Sequence, residues 1–291
     1  MKNTFERMPE FITSDVRVKR PVDVSYRIDA DFMTKRHEAM LPESLVEGKS
    51  VLDLGCAVAA TGAWVLDHDA KFYAGVELQP KMAYDACVNL EKYFEPPRWK
   101  ILEKSIEDVI SLSPAGYDII VVSGVIYGIV NYFGFIEKLT HIADCIVIES
   151  MHPWKLIDQN NAMTDMSVWE QCIQLPIVQY TEKIRHSHED GTKSYEYDGV
   201  RISISAFQQI FGHLGWKVSL TVNEELSRTI PDVYDVQTVV HQDPNNPGDA
   251  HLVNTASGPR FVIQCFKDEQ PTRRDFNHIY GKENVSFKEW K

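Results

Sequence analysis

Val51-Leu52-Asp53-Leu54-Gly55-Cys56-Ala57-Val58-Ala59-Ala60-Thr61-Gly62 decides how this chain is read. Ser50–Leu54 is a short apolar run closed by Gly55, the pattern of a strand buried on both faces. A small-residue loop follows, and Ala60–Leu66 reads as the start of a helix. Small side chains let a ligand lie against the backbone, and a helix N-terminus offers unpaired N–H groups. The next apolar run, Phe72–Val76, is closed by Glu77, 22 positions after Gly55. At that spacing an acidic side chain can bond both hydroxyls of a ribose. The expected ligand is therefore a nucleoside-containing molecule at the carboxyl edge of a sheet.

The phosphate-bearing nucleosides fit poorly. A G-x-G-x-x-G template reads Gly55-x-Ala57-x-x-Ala60, with one glycine of three, and no G-x-x-x-x-G-K-[ST] loop occurs. Without phosphate anchoring, NAD, FAD and ATP are disfavoured.

Outward from this stretch the rhythm is regular. Met82–Tyr93 has apolar residues at helical spacing, Trp99–Leu102 is a weaker strand and Tyr117–Val122 a strong β-branched run. Tyr132–Ala143 reads as a helix and Cys145–Ile148 as a strand. Strands alternating with helices from 50 to 150 predict right-handed crossovers and a parallel sheet covered on both faces. Residues 151–202, rich in Met, His, Trp, Tyr and Gln, break the rhythm and read as an insertion. Ser205–Leu214 is expected as a helix capped by Ser205, Trp216–Val222 as a strand and Arg260–Phe266 as the last strand. The expected organisation is an N-terminal lid over 1–45, a ligand-binding domain over 46–268 and a charged tail over 269–291.

At these residues the chain resembles the class I (Rossmann-like) S-adenosylmethionine-dependent methyltransferases, whose first motif is D/E-x-G-x-G-x-G. Asp53 and Gly55 match it, and Ala57 and Ala59 stand where the motif has glycine. The resemblance implies a doubly wound, mostly parallel seven-stranded α/β sheet with an antiparallel last strand. It implies S-adenosyl-L-methionine as cofactor, with Gly55, Cys56 and Ala57 in the cradle, Asp53 at the methionine end and Glu77 on the ribose. Leu78 would also contact the cofactor, Ile106 and Glu107 would lie closest to the adenine, and Ser123 and Gly124 would meet the sulfonium and the acceptor. No Asn-Pro-Pro-Tyr-like tetrapeptide follows the fourth strand, which disfavours a methyltransferase acting on flipped DNA bases.

Methyl transfer asks mainly for positioning and desolvation, with a base helping if the acceptor must lose a proton. Tyr127, Glu149 and His152 lie where strands four and five end and are the expected catalytic candidates. The leading function is methyl transfer to a small-molecule acceptor. The alternatives are a protein or RNA acceptor, or a non-catalytic S-adenosylmethionine-binding module, which the two alanines favour.

Composition agrees with an enzyme of this kind. The chain has 291 residues, 44% of them hydrophobic, with 30 basic and 42 acidic residues and a net charge of −12. That is a globular composition whose bulk charge does not attract nucleic acid or an anionic membrane. No run approaches a spanning segment and Met1–Arg7 has no signal core, so a soluble cytoplasmic protein is expected. Five cysteines without C-x-x-C spacing indicate neither a disulfide framework nor a zinc site. His186 and His188 have no third ligand at a supporting spacing and read as part of a turn, and no metal is expected. Trp64 reads as core, Arg17, Lys19 and Arg20 as a solvated face, and Tyr26 and Arg27 as candidates for the lid.

Overall fold

The computed structural model describes residues 3–12, 30–112, 116–151, 176, 178–187, 193–222, 241–242, 250–251 and 260–267. Five parallel strands are β1 (Ser50–Leu54), β2 (Phe72–Glu77), β3 (Trp99–Glu103), β4 (Tyr117–Ser123) and β5 (Ala143–Met151). A hairpin of β6 (Val178–Ser187) and β7 (Lys193–Ile202) follows, then β8 (Trp216–Val222). The short pair β9 (His241–Gln242) and β10 (Ala250–His251) precedes β11 (Arg260–Lys267). The main sheet has seven strands in the order β3-β2-β1-β4-β5-β11-β8, and β11 runs antiparallel to both β5 and β8. This is the doubly wound sheet, antiparallel at its last strand, that the sequence led us to expect.

The continuous apolar runs have the cause inferred from them, which is burial on both faces. On β1, Val51 joins one core and Leu52 and Leu54 the other, and all are fully buried. The first face is covered by α1 (Thr4–Arg7), α2 (Ala30–Met40), α3 (Glu43–Val46), α4 (Ala60–Asp67) and α5 (Pro80–Glu91). The second is covered by α6 (Ile106–Leu112), α7 (Tyr132–Thr140) and α8 (Ile204–His213). Among the described residues no helix is long and apolar enough to cross a membrane.

The N-terminal elements pack within the first layer. Phe5 stacks near Trp64 and His37, and Thr4 Oγ1 and the Arg7 guanidinium both bond Asp67 on α4. Trp64 is core, as expected, and its Nε1 donates to the Leu41 carbonyl at 2.8 Å. Cys56, Cys145 and Cys265 are buried. Cys172, Arg17, Lys19, Arg20, Tyr26 and Arg27 lie outside the described residues.

One local expectation is corrected. The cap of α8 is Ser203, whose extended backbone (φ −72°, ψ 160°) lets Oγ accept from the Ala206 amide at 3.2 Å, while Ser205 is a buried residue inside the helix. The irregular-looking stretch 151–202 ends in two ten-residue strands, which sit outside the main sheet.

Candidate functional site

The carboxyl ends of β1, β2, β4 and β5 lie side by side, because Asp53 pairs in register with Gly75 and Val121, and Ser123 with Glu149. From this edge the chain leaves β1 at Gly55 in a left-handed conformation (φ 85°). The amides of Gly55 and Cys56 both donate to the Val76 carbonyl, at 2.8 and 2.9 Å, folding the loop back onto β2. A Cβ on Gly55 would lie 2.5 Å from Val125 Cγ1, so glycine answers both a torsional and a steric requirement.

Alanine stands at two of the motif's three glycine positions, and both alanines take a backbone conformation that favours glycine. Ala57 (φ 49°) and Ala59 (φ 66°) are both left-handed. A left-handed L-residue costs about 1–2 kcal/mol, so the loop holds stored backbone strain at the head of α4. Glu77 secures it: its Oε2 accepts from the Ala57 amide at 3.0 Å and its Oε1 from the Gln79 amide at 2.9 Å. The sequence separation of loop and acid thus becomes direct contact.

Asp53 is 2% exposed. Its Oδ2 accepts from the Tyr73 hydroxyl at 2.9 Å, and Thr61 on α4 also bonds it. Burial pushes its carboxyl up to about 6, against the pull of Tyr73, Arg36 and Thr61. Burial likewise pushes the Cys56 thiol and the Tyr73 hydroxyl up. The carboxylate-phenol contact at the site therefore stands in a low-dielectric setting.

Around this centre the other expected residues take these places. Leu78 is 67% exposed beside Glu77, and the Lys104 amide donates to the Glu77 carbonyl at 3.1 Å, bringing the β3–α6 loop alongside. Ile106 opens α6 half-buried and Glu107 is exposed. Gly124 (φ 68°) donates its amide to the Glu149 carbonyl at 3.1 Å. Tyr127 lies half-buried in a 3-10 turn, Ile126–Gly128, that β7 packs against. Gly199 of β7 sits so close that a Cβ there would run into the Tyr127 carbonyl oxygen. His152 and His188 lie outside the described residues, as do the side chains of His186, Tyr195 and Tyr197.

Glu149 is fully buried and engaged at both oxygens. Arg36 Nε donates to Oε1 at 3.0 Å and Nη2 to Oε2 at 2.6 Å. Arg36 Nη2 also donates to Ser123 Oγ at 2.7 Å, and Ser123 Oγ donates to Glu149 Oε2 at 2.7 Å. Arg36 was not singled out from sequence, although a signal exists. Met33, Arg36, His37 and Met40 fall on one helical face, and all but Arg36 are buried apolar or aromatic residues, so a cation there needs a buried partner.

No family model and no curated protein matches this chain. Among solved structures it is similar to a proposed S-adenosylmethionine dependent methyltransferase from Listeria monocytogenes, at 18% identity and TM-score 0.49 over 83% of this chain and 100% of that one. It is also similar to magnesium protoporphyrin IX methyltransferase from Synechocystis PCC 6803 with bound SAM, at 10% identity and TM-score 0.49 over 92% and 98% of the two chains. A third, the S-adenosylmethionine dependent methyltransferase from Mesorhizobium loti, stands at 13% identity and TM-score 0.43 over 80% and 96%. Each is a likeness of fold.

Proposed function

We propose that this protein binds S-adenosyl-L-methionine at the ends of β1 and β2 and transfers its methyl group to a small-molecule acceptor held beyond β4 and β5. The observation that carries the reading is the Glu77 carboxylate bonded to the Ala57 amide. It brings the tight loop and the acidic strand end together, with no glycine-lined bed for a pyrophosphate.

The residues present fit the cofactor. Gly55 lets the backbone approach closely, each Glu77 oxygen holds one loop amide and keeps a second lone pair for a ribose hydroxyl, and exposed Leu78 with half-buried Ile106 offers an apolar flank for adenine. Asp53, carrying negative charge above its raised midpoint, favours the cationic end of the ligand. The bound cofactor supplies a methyl group already activated on a positively charged sulfur. What remains for the protein is to orient the acceptor, exclude water and, for a protonated acceptor, take up a proton. Ser123, Gly124 and Tyr127 border the acceptor side, and β7 crossing the Tyr127 turn favours an acceptor small enough to be enclosed. Of the base candidates, Tyr127 and His152 remain open to this role, whereas both oxygens of Glu149 are already engaged.

Calorimetric titration of wild type and Glu77→Gln with S-adenosylmethionine tests the ribose assignment. The variant should bind more weakly by about 1–3 kcal/mol, a loss of roughly 5- to 150-fold. Equal affinity in the two proteins refutes the placement. Product formation across an acceptor library separates an enzyme from a binding module, since both would titrate.

A further inference from the structure

Arg36 and Glu149 form a desolvated ion pair, with side-chain exposures of 18% and 0%. Such pairs contribute little net stability compared with well-packed apolar residues in the same space. Its geometry is specific all the same. Three charge-assisted bonds from one guanidinium engage Ser123 and Glu149, which are register partners at the ends of adjacent strands. The far end of α2 is fixed separately: the Met40 carbonyl accepts from Gln264 Nε2 of β11 at 3.1 Å, and the Leu41 carbonyl accepts from Trp64 Nε1. Arg36 adds to these a tie from α2 to the ends of β4 and β5.

The same guanidinium acts on the donor side. Asp53 pairs in register with Val121, two residues before the Ser123 that Arg36 bonds on the same strand, and the groups acting on its carboxyl are Arg36, Tyr73, Thr61, Glu77 and Cys56. Arg36 is the cation in that set, and it favours the charged form of Asp53.

We propose that Arg36 is a positioning residue of the donor pocket: bonded to Glu149 and Ser123 together, it fixes α2 as the wall beside Asp53, with Glu149 as its anchor. The assignment rests on the reading of this edge as an S-adenosylmethionine site.

Removing one partner of a buried pair can unfold a protein, so the decisive variant is the double exchange Arg36→Met with Glu149→Leu, which leaves no unpaired charge. Arg36→Lys is its companion, keeping the charge and losing the fork. Two quantities are read in each full-length protein: the titration midpoint of the Asp53 carboxyl by NMR without ligand, and the affinity for S-adenosylmethionine by calorimetry. In the double variant the midpoint should rise, since the cation that favours the charged form of Asp53 is gone, and affinity at neutral pH should fall as α2 loses its anchor. Arg36→Lys should hold the midpoint near wild type and lose affinity a few-fold. A folded double variant with wild-type midpoint and affinity overturns the assignment. If wild type itself does not bind S-adenosylmethionine, the functional reading fails, and the ligand-free midpoint still decides whether Arg36 acts on Asp53.

Discussion

Replacing Asp53 with asparagine should stabilise the unliganded protein while weakening its donor site. Asp53 is fully buried, and its carboxyl is raised from 3.8 to about 6. A raised acid binds its proton more tightly in the native state than in the unfolded chain. Stability therefore falls as pH rises from about 4 to about 6, and the full penalty persists above that range. A shift of roughly two units at 1.36 kcal/mol each makes the penalty about 3 kcal/mol at pH 7.5 and about 1 kcal/mol at pH 4.5. Asparagine does not titrate, and its Oδ1 can still accept from the Tyr73 hydroxyl 2.9 Å from the present oxygen. Any cost of placing the amide NH₂ is an offset independent of pH.

Urea unfolding of wild type and Asp53→Asn at several pH values isolates this term. The stability difference in favour of the variant should grow by about 2 kcal/mol between pH 4.5 and pH 7.5. His37, fully buried and pushed down to about 3, makes both proteins lose stability as pH falls below about 6.5. That loss cancels in the difference. A difference that stays flat with pH would refute the claim that a buried, reluctantly ionised carboxylate stands at the end of β1.

Two further outcomes follow from the loop and the hairpin. Ala57→Gly should stabilise by about 0.5–1 kcal/mol in thermal or urea unfolding, because relief of the left-handed strain outweighs the added entropy of the unfolded chain, whereas Ala59→Gly should gain little because it also loses a buried methyl group. Gly199→Ala should force β7 away from the Tyr127 carbonyl, costing about 1–3 kcal/mol. Kinetics of that variant should show a raised KM for the acceptor and an unchanged affinity for S-adenosylmethionine.

The sheet was legible because its strands are short, apolar throughout and separated by helical periodicity, which leaves few topologies once right-handed crossovers are assumed. The loop at Gly55 and the acid at Glu77 were legible because their separation is a local matter of one strand-helix-strand unit. What escaped were partnerships across the fold. Tyr73 reads as one more residue of a buried strand, yet its hydroxyl finds Asp53 twenty positions away. Arg36 meets Glu149 across 113 positions, and no local pattern encodes such a distance. The β6–β7 hairpin escaped for another reason: a two-stranded ribbon outside the main sheet carries no continuous apolar run, and its mixed polar sequence imitates a loop.

Three costly features lie near one another at the carboxyl edge of the sheet, while a further left-handed residue, Asp69, lies by the start of β1. Two alanines are held left-handed, an aspartate is buried against its titration, and an arginine-glutamate pair is taken out of water. Each costs free energy in a fold that is elsewhere regular, with apolar residues lining both faces of its sheet. These three lie at one sheet edge, where Glu77 holds the loop and Arg36 joins Ser123 to Glu149. On the proposed function, a cation received beside Asp53 would offset the desolvation that the unliganded protein bears alone, so the cost at this edge is one that ligand binding would return.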